Sequence, residues 1–71
     1  MTQRDYEQRY AEALDVVRRK ISNVGQPETM PDGTRLVRVG AMRCDDEFVF
    51  RLAWGKETAR DIVDQRPASR R

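Results

Sequence analysis

Asp45, Asp46 and Glu47 form the densest group of ionisable side chains in the sequence. Three adjacent carboxylates can coordinate a divalent cation, or imitate nucleic-acid phosphate toward a basic partner. A cation site needs several oxygens held in a fixed loop geometry, and the EF-hand spacing is absent. A solvated turn is the simpler reading.

The basic residues are the second candidate set. Of 14 basic side chains 12 are Arg, whose planar fork suits bidentate contact with carboxylate or phosphate. Arg18-Arg19-Lys20 form a run, and Arg35, Arg38, Arg43 and Arg51 follow in the central stretch. Twelve acidic residues bring the net charge down to +2, so the surface is mixed in sign. No helix-turn-helix, zinc or RNA-binding signature accompanies the arginines.

Catalytic chemistry finds little support. The chain has no histidine, so acid–base work would fall to carboxylates, and no separated pair stands out. Ser22 and Ser69 have no base partner, and no glycine loop could cradle phosphate. Cys44, the one cysteine, has Asp45 beside it, which disfavours the thiolate. The expectation is a non-enzymatic protein with no cofactor. A single thiol and no signal or membrane-spanning run fit a cytoplasmic protein with no membrane partner.

The elements that must position these residues follow from periodicity. Tyr6, Tyr10, Leu14, Val17, Ile21 and Val24 recur at helical spacing, predicting a helix from about Gln3 to Val24. Thr2 and Asp5 have capping-box spacing at its start, and Gly25 and Pro27 supply a stop. Gln26 to Gly33 reads as a linker ending in a turn at Pro31-Asp32-Gly33.

Leu36 to Trp54 is expected to form an antiparallel ribbon turning at Asp45-Asp46. Arg43 would face Phe48, Ala41 Phe50, Val39 Leu52 and Val37 Trp54, on one mostly apolar side. Arg38, Gly40, Met42, Val49, Arg51 and Ala53 would fall on the other. The competing reading is a helix from Asp46 to Trp54 with Asp45 as N-cap. That helix would be apolar around nearly its whole circumference, whereas a ribbon sorts the same residues onto one side. Gly55 then breaks the chain, and Lys56 to Arg66 reads as a helix with Ala59, Ile62 and Val63 on one face.

These pieces define an α+β chain, a small two-layer α-β-β-α domain over residues 1–66 in which two helices cover an antiparallel hairpin. Residues 67–71 form a basic C-terminal tail. The alternative is mostly α, with a short hairpin and residues 46–54 helical. At 71 residues the chain buries only ~60% of its unfolded surface, so its core is marginal and a partner subunit would help.

The function expected is that of a small protein-binding module: an inhibitor, adaptor or regulatory subunit. Arg-rich, motif-poor chains of this size are common among phage and mobile-element accessory proteins. There, blocking a host defence complex, as anti-CRISPR proteins do, is one known task. Arg38, Arg51, Tyr6, Tyr10, Asp45, Asp46 and Glu47 are the candidate partner-binding residues. Self-association is expected through a strand edge or by zipping the first helix along Leu14, Val17 and Ile21. The alternative is a nucleic-acid-binding accessory protein using Arg18, Arg19, Lys20, Arg35 and Arg43.

Overall fold

Thr2 opens the first helix through the bond its spacing predicts, its hydroxyl accepting from the Asp5 N–H at 3.1 Å. In the computed structural model, which describes residues 1–67, this helix, α1, runs Gln3–Lys20. Strands β1 (Glu28–Thr29), β2 (Arg35–Val39) and β3 (Met42–Asp45) follow, then α2 (Asp46–Trp54) and α3 (Lys56–Asp64). The strands form an antiparallel sheet in the order β1-β2-β3. The α+β class therefore holds, with the helical alternative for 46–54 in place of a second long strand. The tail residues 68–71 lie outside the described residues.

The ribbon turning at Asp45-Asp46 does not form. The chain reverses earlier, at Gly40-Ala41, pairing Val39 with Met42, Arg38 with Arg43, Val37 with Cys44 and Leu36 with Asp45. Gly40 has φ 62° at the first position of a two-residue turn, where a type II′ hairpin requires positive φ. Asp45 ends β3 and caps α2, its carboxylate accepting from the Phe48 N–H at 2.9 Å. Asp46 and Glu47 in the first turn complement the helix dipole.

The objection to an all-round apolar helix fails because α2 is the central helix. It packs against α1 on one side and α3 on another. Val49, Phe50 and Ala53 are buried, while Phe48, Leu52 and Trp54 pack half-buried on the same core. Phe50 meets Tyr6 and Tyr10 edge-on, with centroids 5.7 and 6.2 Å apart, and stacks on Trp54 at 6.2 Å and 14°. Gly55 separates α2 from α3. Its φ of 103° and ψ of 168° belong to a region nearly closed to other residues.

The α1 helix stops one turn short of the expected Val24. Ile21 is extended, and the segment after it is drawn onto the edge of β2. Val24 bridges Val39, the Gly25 N–H donates to the Arg38 carbonyl at 2.8 Å, and the Gly40 N–H to Asn23 at 2.7 Å. Gly25 is not among the positive-φ glycines, so it is not the left-handed cap its position suggested. The turn at Pro31-Asp32-Gly33 does form, closed by the Gly33 N–H on the Met30 carbonyl at 2.9 Å. It joins β1 to β2 and makes the expected linker part of the sheet.

Tyr6, Tyr10, Leu14 and Val17 all lie in the core with Val37, Val39 and Cys44. The α1 stripe is thus covered by its own chain, which leaves no seam for zipping two copies along Leu14 and Val17. Phe50 is fully buried among three aromatic rings. Phe50→Ala should cost about 3–5 kcal/mol, out of roughly 4–11 kcal/mol expected for a chain this size. Urea unfolding followed by far-UV circular dichroism should find that variant largely unfolded at low denaturant. A midpoint near that of the wild type would contradict this packing.

Candidate binding face

Alternation along the strands gives the sheet two unlike sides. Arg35, Val37, Val39 and Cys44 point toward the helices and are buried. Glu28, Leu36, Arg38, Arg43 and Asp45 share the opposite side through the pairs Glu28–Leu36, Leu36–Asp45 and Arg38–Arg43. Of these only Leu36 is half-buried, and the rest are exposed. This side carries a shallow hollow of about 350 Å³ lined by Gly25, Glu28, Leu36, Arg38 and Arg43 among others. A Cβ at Gly25 would meet the Arg38 Cβ at 3.6 Å, an ordinary van der Waals contact.

Two arginines occupy directly opposed positions of the strand pair here. Like charges in facing positions of an antiparallel pair are destabilising. Arg43 has a loose contact with Glu28 at 3.7 Å, both side chains well exposed, which is worth little in water. Among the described residues Arg38 makes no ion pair.

The other expected site residues are distributed differently. Tyr6 and Tyr10 are buried core residues rather than surface anchors. Asp46 is also buried and accepts from the Tyr6 hydroxyl, from its neighbour Glu47 N–H at 2.9 Å, and from Arg66 Nη1 at 3.4 Å. Asp45 is occupied as the α2 cap, and Glu47 pairs with Arg51 one turn on at 3.5 Å. The acidic triplet is therefore a helix start rather than a solvated turn. Among the described residues no group of three or more His, Cys, Asp or Glu side chains could hold a metal ion.

The arginine run is divided too. Arg18 approaches Asp15 at 4.0 Å and Arg19 is exposed. Lys20 Nζ donates to the carbonyls of Leu52 and Ala53 at 2.9 and 3.3 Å, closing the C-terminal end of α2, where a cation is favoured. Arg35 is buried, ion-paired with Glu7, with its guanidinium carbon 4.8 Å from the Tyr6 ring centroid. Neither Lys20 nor Arg35 joins the open face. The sheet brings together Arg38 and Arg43 alone, with Arg51 away on α2.

A second hollow, about 580 Å³, is lined by Asp32, Thr34, Arg35, Asp46 and Arg66 among others. Its charged groups already have partners: Arg66 pairs with Asp46, Arg35 with Glu7, and Asp32 accepts from the Thr34 N–H. Cys44 is buried, and burial first and Asp45 second push its thiol above the usual range, away from nucleophilic reactivity. No helix of the described residues is long and apolar enough to cross a membrane. Compared with protein-family models, with curated proteins and with solved structures, the chain finds no match.

From the sequence, Arg38 is expected on the exposed side and Arg43 on the opposite one facing Phe48, so their sharing one side, as a facing pair, is a correction. A Gly40-Ala41 turn between apolar runs would have shown it, since any two-residue turn there sets residue 38 against 43.

Two predictions follow from the buried hydroxyls. Burial first and the bond to Asp46 second hold the Tyr6 phenol far above its ordinary value, and burial lifts Tyr10 to about 12. The unfolded chain loses these protons near pH ~10. The folded state's preference for neutral phenols is therefore fully felt below that pH and is lost as pH rises through the raised values. Phenolate absorbance and circular dichroism should change together above pH ~10; ionisation near pH 10 with the fold intact would contradict it. The Tyr10 hydroxyl is buried with no hydrogen-bond partner among the described residues. Tyr10→Phe should accordingly be neutral or stabilising by up to about 1 kcal/mol in urea unfolding, since an unpaired buried hydroxyl is a cost.

Proposed function

We propose that this chain is a non-enzymatic protein-binding module that docks the bare side of its sheet on an acidic protein surface. The observation that carries this reading is the facing pair Arg38 and Arg43 on an exposed strand surface. The pair costs stability in the isolated chain, and a carboxylate-bearing partner would offset the repulsion. Arginine is enriched at binding hot spots and forms bidentate contacts with carboxylates. Leu36 adds one half-buried apolar side chain to an otherwise largely polar hollow. A module of this kind acts by occupying its partner's surface, as an inhibitor, adaptor or regulatory subunit does.

A phosphate-bearing partner is the second reading, since arginine serves both. None of the residues lining that hollow is aromatic, and one half-buried Phe48 near Arg43 falls short of the row of stacking platforms on which sequence-tolerant single-strand binding relies. That favours protein over nucleic acid.

Affinity capture with the full chain, followed by binding measurements on the purified partner, tests the proposal. Arg38→Glu should weaken that binding at least about tenfold, as for a charge reversal at a paired arginine, without lowering the urea midpoint. Undiminished binding by Arg38→Glu removes the proposal. Gel shifts that weaken steeply with rising salt would move the assignment to nucleic acid.

A further inference from the structure

We propose that a second copy of this chain pairs with the free edge of β3, antiparallel, about a twofold axis at Cys44. In the sheet order β1-β2-β3 the outer side of β3 has no neighbouring strand among the described residues. The two edges of the sheet are unlike. β1 is two residues long and lies between Pro27 and Pro31, the kind of blunting that discourages pairing. β3 spans Met42-Arg43-Cys44-Asp45 without proline. Beside it runs an open, largely apolar hollow lined by Leu36, Met42, Cys44 and Phe48 among others.

The residues of β3 select a single register. Residues facing each other across an antiparallel pair point to the same side of the sheet. A twofold axis perpendicular to the sheet must therefore pass through one residue position. An axis at Arg43 sets Arg43 against the partner's Arg43, and one at Asp45 sets the two Asp45 carboxylates together. Each is penalised as a facing like charge. An axis at Met42 would place Arg43 against the partner's Ala41, in the turn, and leave the charges unmatched. Only the axis at Cys44 sets Arg43 opposite the partner's Asp45 and, by symmetry, Asp45 opposite the partner's Arg43. It also sets Cys44 on the partner's Cys44, small and apolar on the core side.

One further feature agrees with this register: it gives Arg43 a facing carboxylate on one side to balance Arg38 on the other. The result is a six-stranded sheet with all helices on one side, and a larger continuous core, which a chain of this size lacks alone. Arg43 is common to the dimer and to the docking reading above, whereas Arg38 belongs to the docking reading alone, so charge reversals at the two positions tell them apart.

Sedimentation velocity on the full chain over a concentration series tests the pairing, with circular dichroism confirming that each variant is folded. The wild type should show a reversible monomer–dimer equilibrium. Arg43→Glu turns both facing pairs repulsive and should weaken the dimer about tenfold. Asp45→Asn retains an N-cap residue but loses the charge, and should weaken it less. Arg38→Glu, the same charge reversal one strand away, should leave the dimer within about twofold while abolishing docking on an acidic partner. A chain that stays monomeric at every concentration overturns the pairing. So does an Arg43→Glu variant that dimerises like the wild type, or an Arg38→Glu variant that loses the dimer equally.

Discussion

The structure depends on an abrupt change of backbone at two adjacent aspartates. Asp45 is the last residue of β3 and the N-cap of α2, so strand passes into helix with no connecting loop. Asp46, one residue on, is buried and accepts from the hydroxyl of Tyr6, 40 residues away in sequence. One carboxylate starts the helix and the next ties it to α1. A buried carboxylate is costly unless its oxygens are satisfied, and here the tyrosine, a backbone N–H and Arg66 satisfy them. The same geometry decides which way α2 faces, and therefore that Phe50 enters the ring of Tyr6, Tyr10 and Trp54.

A second polar tie lies beside the first. Arg35 projects from the core side of β2, pairs with Glu7 of α1 and lies over the face of Tyr6. Cation–π contact and a part-buried ion pair make a charged residue tolerable there. Lys20, at the far end of α1, closes the last carbonyls of α2. The helices are thus pinned to one another and to the sheet by charged groups at both ends, around a small apolar centre. All of this lies on one side of the sheet. The opposite side keeps its arginines unburied, and that asymmetry is what makes it a binding surface in our account.

The parts legible in the sequence were those written locally. The Thr2 cap, the Pro31-Asp32-Gly33 turn, the break at Gly55 and the third helix each rest on a few neighbouring residues. The start of α2 was ambiguous because Phe48, Phe50, Leu52 and Trp54 satisfy a strand's alternation and a central helix's apolar girth equally well. Its resolution is non-local: α2 can be apolar all round only because α1 and α3 both cover it. Asp46 and Arg35 were misplaced for the same reason. A carboxylate in a run of acids, or an arginine at a strand's rim, reads as solvated until its distant partner is known. Tyr6 and Tyr10, set on the helix stripe, were correctly part of an apolar face, but that face is consumed by the chain's own core.

The bond between Tyr6 and Asp46 separates this account most sharply from one in which the aspartates form a solvated turn. A double-mutant cycle with Tyr6→Phe, Asp46→Asn and the combined variant, read by urea unfolding, measures their coupling directly. Groups bonded in a buried site should show an interaction of about 1 kcal/mol or more. A coupling indistinguishable from zero would contradict the lock at the start of α2, and with it the arrangement of helices and bare sheet built upon it.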